Sequence, residues 1–546
     1  MTKSITYRVC PDHGISAVRF REANSQLGLA CGCLVKIPMN EKLAELEPIK
    51  IQLGELNYYP YQREGIEFLI RKAKGRGILL DEQGLGKTIQ AYGFIKHTRP
   101  FSMPALIVCN KSLQVQWFRA ALDWLHMDCV PEFLFKAGQH IPPANVYITS
   151  YSHLGKVCDE LHKQGIVLNT IILDEFQNIK NQETQRYQNL MTLIQNNGAE
   201  FDEDGDRTKI GGVRFVIGLS GTPYKNRALE FFNMLNLVQP GMFYDPERYR
   251  DDWVDEYVDG RGKVKLGGIR RPHLFRDMTK DFILRRERDE VAPDLPKVRR
   301  DNQFIDMGND HKEHYLAVMG AMLRAHQEQE RKAAQQGKEV NEFERQRSII
   351  GYLVKLRHIT GVAKIEFAVD YIKEFVESHD NTKLTIYSQH DNVHLGIRRW
   401  LDRLGIGYME MAAWMNTRQI EAVKDEFNSP DMSRPILLTK TQIAKEGHNL
   451  QYMCHNCLHV ERQWTSVDEE QAETRFTRTG SQQMKGYVDS VYLIAAGTID
   501  EWLTELVEQK RQHTDISGNA ADWQDSDALN QLFDVLIQKG LPKWTF

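Results

Sequence analysis

Short apolar runs, each closed by a polar or glycine-bearing turn and followed by helical periodicity, recur along the chain from about residue 77. Examples are "GILL" (77–80), "ALIVC" (105–109), "TIILDE" (170–175) and "VRFVIGLSG" (213–221). None of them alternates with polar residues. A run that is apolar on both faces, set between helices, predicts a parallel strand buried on both sides. The same texture returns in "KLTIYSQ" (383–389), "PILLTK" (435–440) and "SVYLIAAG" (490–497), after a stretch of different character. The pattern therefore predicts an α/β chain with two parallel-sheet lobes.

The intervening stretch, about 245–370, contains "LRAHQEQERKAAQQGKEVNEFERQR" (323–347). It is polar nearly all round and rich in helix formers, which predicts helices projecting into solvent. The acidic "GAEFDEDGDRTKIGG" (198–212) lacks the ligand spacing and closing Glu of a calcium loop and reads as a solvated hairpin or loop. After about residue 510 a loop leads to a short amphipathic helix carrying Leu529, Leu532, Val535 and Leu536, expected to pack back on a lobe. The expected division is a small N-terminal module (1–50), lobe 1 (51–295, with a helical insertion at 227–295), a linker and helical protrusion (296–370), lobe 2 (371–510) and a helical tail (511–546).

Composition changes this picture little. At 546 residues the chain is long enough for about three domains. Seventy basic against 74 acidic side chains leave a formal charge of -4, so the global charge does not identify a partner; nucleic-acid-binding proteins often concentrate positive charge in a groove. No stretch approaches eighteen uninterrupted apolar residues, and the beginning, "MTKSITYRVCPDHG", lacks a signal-peptide core. A cytoplasmic protein with no membrane partner is expected, in a bacterial or virus-infected host cell.

Eight scattered cysteines without a secretory signal read as reduced thiols or metal ligands. Cys10, His13, Cys31 and Cys33 form two close pairs whose count suits tetrahedral Zn²⁺. Cys-x-Cys is a less common zinc spacing, and glycine-flanked cysteines also occur in plain turns, so a metal-free module stands beside the zinc reading. Cys454 and Cys457 read as ordinary core packing.

The chemistry concentrates first in "GILLDEQGLGKTIQAYGFI" (77–95), where an apolar strand must turn sharply into a helix near Lys87. Gly84 and Gly86 allow backbone angles that a side chain forbids and bring N–H groups close to an anion. The helix N-terminus adds partial positive charge, which makes phosphate the natural occupant. Lys87 would reach the outer phosphates and the Thr88 hydroxyl would ligate Mg²⁺. A strict G-x-x-x-x-G-K-[ST] pattern fails, because its first position is Asp81. Downstream, "TIILDEF" places Asp174 and Glu175 at the carboxyl end of a buried strand, where α/β sheets bind ligands. Asp174 can hold the Mg²⁺ shell and Glu175 can orient or deprotonate the attacking water. Arg475 and Arg478, three apart on an expected helix, face the same way and could neutralise the transferred phosphoryl group.

The ordered set "YYPYQREGIEFL" (58–69), "DEQGLGKT" (81–88), "PALIVCNKSLQVQW" (104–117), "LDEFQNIKN" (173–181), "LSGTPYKN" (219–226), "FILRRERDEVAPDLPK" (282–297), "IYSQHDN" (386–392) and "WTSVDEEQAETRFTRTG" (464–480) resembles the Swi/Snf-type branch of the superfamily 2 helicase-like ATPases, over about residues 56–505. The closing "LIAAGTIDEWL" (493–503) also matches that family's second lobe.

The resemblance implies two RecA-like lobes with ATP in the cleft between them. Gly84, Leu85, Gly86, Lys87 and Thr88 would cradle the nucleotide, Gln62 would read adenine, and Gln471 would line the cleft beside Arg475 and Arg478 as fingers. Ser220 and Thr222 would couple nucleotide state to lobe movement. The implied activity is ATP-driven translocation on double-stranded DNA without strand separation. Phosphate contacts would come from Lys111, Ser112, Ser388, Gln389 and the loop with Lys440 and Lys445. A DNA-bound complex, such as polymerase or replication and repair machinery, is a further implied partner; one chain carries both halves of the cleft and is expected to work as a monomer. Gln83, "DEFQ", "TRTGS" and "TKTQIAKEGHNL" depart from the family's usual residues, and short insertions favour a compact prokaryotic or viral member. A strand-separating DNA or RNA helicase and a non-hydrolysing clamp are the rival readings.

Overall fold

The structure is a computed structural model. It describes 58–99, 101–125, 131–133, 144–179, 184–196, 200–201, 207–209, 212–221, 228–243, 245–258, 264–335, 342–444, 450–464, 466–478, 486–517 and 535–538, a few isolated residues between these, and, before residue 37, the backbone of five short strands. The chain divides into two compact units, Met1–Pro293 and Asp294–Phe546.

The early strands form an antiparallel pair, Val9–Cys10 with Gly14–Ile15, and a three-stranded sheet of Val18–Arg19, Gln26–Leu29 and Leu34–Lys36. Of the expected zinc set, only the backbone of Cys10 is described; His13, Cys31 and Cys33 lie outside the described residues.

In the first unit, α1 (Pro60–Glu67) starts with proline at its first turn, where the missing N–H costs nothing. There follow β1 (Arg76–Leu79), α2 (Lys87–Thr98), β2 (Ala105–Cys109), α3 (Gln114–Leu125), β3 (Pro131–Phe133), β4 (Val146–Ser150), β5 (Thr170–Asp174), β6 (Phe215–Leu219) and β7 (Ile283–Leu284). They make one parallel sheet in the order β7-β1-β6-β5-β2-β4-β3. The apolar runs read from the sequence are its central strands, and β2, β4 and β6 are buried at every position. Register partners Leu79, Leu219 and Asp174 end side by side on β1, β6 and β5, so the loops leaving these strands share one edge. The insertion expected to be helical also contains an antiparallel hairpin, Val254–Val258 with Val264–Ile269. Within the acidic segment, read as a hairpin or loop, Glu200–Phe201 pairs antiparallel with Arg207–Lys209.

The second unit contains β8 (Lys297–Ile305), α4 (Asn309–Gln335), α5 (Glu342–Ala363), α6 (Ile365–Ser378), β9 (Lys383–Ser388), α7 (Asp391–Leu404), β10 (Tyr408–Met411), β11 (Ile436–Lys440), β12 (Cys454–His459), α8 (Ser466–Glu473), β13 (Tyr487–Ala495) and α9 (Ile499–Ser517). Its sheet is again all parallel, in the order β8-β13-β12-β9-β11-β10. One expectation is corrected: β8 lies within the span assigned to a linker, yet it pairs with β13 along its whole length. Its polar sequence belongs to an edge strand, exposed at most positions, so it lacks the apolar texture of the central strands.

The start of α4 buries Tyr315, Met319 and Met322 in one cluster with Leu353, Leu356 and Ile359 of α5, and its second half is mostly exposed, as its polar sequence predicts. Leu536 joins the same cluster, so that part of the tail packs back as expected, whereas Leu529 and Leu532 lie outside the described residues. Cys454 and Cys457 are buried core residues of β12. Among the described residues no helix is long and apolar enough to cross a membrane.

Candidate nucleotide site

The loop from β1 to α2 is shaped by glycine. Gly84 and Gly86 have φ of +91° and +72°, a left-handed region that glycine enters without strain. Gly86 is also the residue from which α2 starts, and a Cβ there would stand 2.5 Å from Nε2 of the buried Gln62. Gln62 closes the other side of the loop: its Oε1 accepts from the Tyr59 N–H at 3.1 Å, and its Nε2 donates to the Leu85 carbonyl at 3.4 Å. The Lys87 ammonium donates to the carbonyls of Asp81 at 2.6 Å and Glu82 at 3.4 Å. Burial pushes its pKa below that of an ordinary lysine, and the charges of Glu175, Asp81, Asp174 and Glu82 pull it back up.

Asp174 is the last residue of β5. Trp117 Nε1 donates to its Oδ2 at 2.8 Å, and the Tyr151 hydroxyl donates to its main-chain carbonyl at 2.7 Å. Burial first, and then the neighbouring Glu175 carboxylate, push the Asp174 carboxyl up to about 7, against the Trp117 hydrogen bond and Lys87. Glu175 itself has φ of +48°, a strained conformation for a residue with a side chain, of the kind found where a functional group must be aimed. The neighbouring edge of β6 carries the buried Ser220; a Cβ added to Gly221 would meet Gln83 Cγ at 2.7 Å and Lys87 Nζ at 3.4 Å. Ser220 and Gly221 thus abut the lysine loop. Thr222 lies outside the described residues.

These donors fit a magnesium-bound polyphosphate. The loop presents the N-terminus of a twelve-residue helix and an ammonium, while Thr88 and Asp174 offer the hard oxygens that Mg²⁺ prefers. A carboxyl that burial and a neighbouring carboxylate hold up at about 7 is one that a bound cation would ionise. Among the described residues no group of three or more His, Cys, Asp or Glu is arranged to hold a metal unaided. Trp117 had no sequence signal beyond its place at the end of "PALIVCNKSLQVQW", since its contact with Asp174 spans 57 residues.

In the second unit, α8 ends at Glu473, so Arg475 and Arg478 follow the helix and do not share a helical face as expected. Arg475 is buried, at 5% exposure, and Arg478 is half-buried. Gln471 is buried on α8. The helix is tied down by its glutamates: Glu469 binds Arg462 (Nη2 at 2.7 Å) and Arg511 (Nη2 at 3.3 Å), Glu470 binds Arg511 (Nε at 3.0 Å), and Glu473 binds Arg300 (Nη2 at 2.6 Å) and the Tyr492 hydroxyl at 2.7 Å.

The expected nucleic-acid contacts are divided. Ser388 is buried, its hydroxyl 2.9 Å from Nδ1 of His394, whose Nε2 meets Glu410 at 2.9 Å. The Gln389 main-chain N–H donates to Glu461 at 2.8 Å, and its side-chain oxygen accepts from Gln463 at 3.2 Å. Lys440, the register partner of Ser388, reaches Asp391 at 2.5 Å. Lys111 is exposed and Ser112 half-buried after β2. Lys445 lies outside the described residues.

A family model described as the SNF2-related domain matches residues 61–198 and 212–363. The chain is 26% identical over 473 residues to a Xenopus tropicalis protein named SWI/SNF-related matrix-associated actin-dependent regulator of chromatin subfamily A-like protein 1, covering 85% of this chain and 45% of that protein. It is 23% identical over 481 residues to a Mycoplasma pneumoniae protein named as an ATP-dependent helicase, covering 83% of this chain and 41% of that one. The chain thus spans less than half the length of these two relatives. A solved structure of a Sulfolobus solfataricus SWI2/SNF2 ATPase core in complex with dsDNA aligns with 92% of this chain and 99% of its own, at 18% identity and a TM-score of 0.39.

Proposed function

The chain belongs to the SNF2-related domain family, and from that premise we propose that it is an ATP-hydrolysing motor that moves along double-stranded DNA and displaces or remodels what is bound there. The observation that carries the reading is the shared edge of β1, β6 and β5, where the glycine loop with Lys87, the Ser220–Gly221 turn and the Asp174–Glu175 pair come together.

Mg²⁺ brought with the nucleotide would supply positive charge to the phosphates, which favours attack at the outermost one. The chain supplies the rest. Lys87 exchanges its loop carbonyls for phosphate oxygens. Thr88 and Asp174 would hold the ion. Glu175, held in its left-handed turn, orients or deprotonates the attacking water. Arg475 and Arg478 contribute the positive charge that the phosphoryl group requires as it passes from ADP to water. Backbone phosphate contacts, indifferent to base sequence, suit a motor that steps along duplex DNA. A DNA-bound protein complex is the object such a motor would displace, and a single chain carrying both sheets suffices for the cycle.

The test is to measure ATP hydrolysis without polymer and with duplex DNA, single-stranded DNA or RNA, together with displacement of a third strand from a triplex. Stimulation by duplex with triplex displacement is expected; stimulation by RNA alone would overturn the reading in favour of an RNA helicase. Arg478→Ala is expected to cut turnover by about 10³ with nucleotide binding nearly intact, in line with other arginine fingers. Turnover like that of the wild type in this variant would remove Arg478 from the mechanism.

A further inference from the structure

Asp81 occupies the position where the strict phosphate-loop pattern has glycine, and its carboxylate is bonded by Arg286 and Gln90. It is fully buried, and its Oδ1 accepts from Arg286 Nε at 3.0 Å. Its Oδ2 accepts from Arg286 Nη2 at 2.5 Å and from Gln90 Nε2 at 2.9 Å. The pair spans 205 positions of sequence. Arg286 Nη1 donates to the Tyr61 carbonyl and lies 3.8 Å from the exposed Glu64 carboxylate, Nη2 also donates to Gln90 Oε1 at 2.9 Å, and the guanidinium stands 5.8 Å from the centre of the Tyr61 ring.

The contact is tight. A Cβ on Gly65 of α1 would fall 1.8 Å from Gln90 Oε1 and 2.8 Å from Arg286 Nη2, so α1 lies directly on the pair. The main chain is tied as well: the Glu82 N–H donates to the Arg286 carbonyl at 3.0 Å, and the Glu82 carboxylate accepts from the Arg288 N–H at 2.7 Å. Asp81 therefore has two attachments. Its carboxylate is gripped by Arg286, and its carbonyl, 2.6 Å from Lys87 Nζ, sets where that ammonium rests.

A buried ion pair is a poor means of adding stability, because desolvating two charges offsets most of their attraction; apolar side chains of similar size would serve as well. A bidentate guanidinium does fix a carboxylate in position and orientation. We propose that Arg286 is a positioning residue of the nucleotide site, which through Asp81 and Gln90 holds the loop and the start of α2 in the geometry that receives phosphate. The inference rests on reading the Lys87 loop as that site. It also accounts for aspartate at the first loop position, where glycine could make no such attachment. Arg286 comes shortly before Asp294, at which the second unit begins, so the segment leaving the first unit is fastened to the loop.

The experiment uses the full chain as wild type, Arg286→Lys, Asp81→Asn and the double variant Asp81→Asn/Arg286→Met. Affinity for a fluorescent ADP, KM and kcat for Mg–ATP, and melting temperature without nucleotide are measured for each. Arg286→Lys and Asp81→Asn are expected to weaken nucleotide affinity and raise KM roughly tenfold or more, as loss of a supporting contact does at other sites. The double variant, free of a lone buried charge, is expected to melt close to the wild type and still bind nucleotide weakly. A double variant that binds like the wild type would overturn the proposal, as would single variants that only melt earlier and bind with unchanged affinity. A wild-type chain that binds no ADP would instead overturn the nucleotide reading beneath it.

Discussion

Asp174 shows how the site's chemistry follows from one residue's surroundings. Its carboxyl is raised from 3.8 to about 7, so between those values the folded chain keeps a proton that the unfolded chain releases. Without nucleotide, the contribution of this group to the stability of the first unit should therefore fall as pH climbs towards about 7 and level off above it. Asp174→Asn removes that slope, and we expect melting curves between pH 5 and 8 to show a variant more stable than the wild type at the upper end and devoid of hydrolysis. Unchanged slopes would mean that the carboxyl is not held protonated. Lys87, Asp174 and Glu175 were legible in the sequence because a glycine turn and a carboxylate pair after apolar strands have few other uses. Arg286 was not, since an arginine among "LRRER" carries no mark of a partner 205 positions away. The different burial of Arg475 and Arg478 was equally hidden, because it depends on where α8 stops.

Among the elements, α8 is held unusually firmly, by arginines from β8, from α9 and from the turn after β12. Burial alone would raise the Glu473 carboxyl, but Arg300 and Arg511 bring it down to about 2. A depressed carboxylate stabilises the fold above its unfolded pKa of 4.5, and that stability is lost as pH falls towards about 2. Beneath the helix the His459 ring lies 4.3 Å from Tyr492 and 4.7 Å from Tyr387, and burial lowers it from 6.5 to about 4. The unfolded chain then takes up a proton first, so stability should fall as pH drops from 6.5 to about 4, and His459→Phe should flatten that part of the profile. Arg462→Ala, which takes from the fully buried Glu469 its 2.7 Å partner and leaves Arg511 at 3.3 Å, is expected to cost about 3 kcal/mol in urea unfolding, whereas replacing both Arg462 and Glu469 with leucine-sized side chains should cost less. The central strands were readable from the sequence as unbroken apolar runs. β8 escaped because it is exposed at most positions of both faces, so neither face demands an apolar run.

For the molecule as a whole, each unit has its own parallel sheet and its own core, so calorimetry of the full chain should resolve two transitions, with Mg–nucleotide raising the one belonging to the unit that contains Lys87. Alternation of apolar runs and helices was enough to announce two α/β units, because parallel strands must be covered on both faces. It ends the first lobe at 295, against Pro293 for the first compact unit, and starts the second lobe at 371, whereas the second unit starts at Asp294 and includes the span read as a linker; a boundary depends on where contacts thin out, which residue types do not mark. The central claim is that the Lys87 loop of this chain binds ATP for hydrolysis driven by duplex DNA. Steady-state hydrolysis by the wild type and by Lys87→Ala, with and without duplex DNA, tests it most directly. The account predicts a wild-type rate that rises with duplex and a variant without measurable turnover; a variant that hydrolyses ATP as fast as the wild type, or a wild type inert even on duplex, would contradict it.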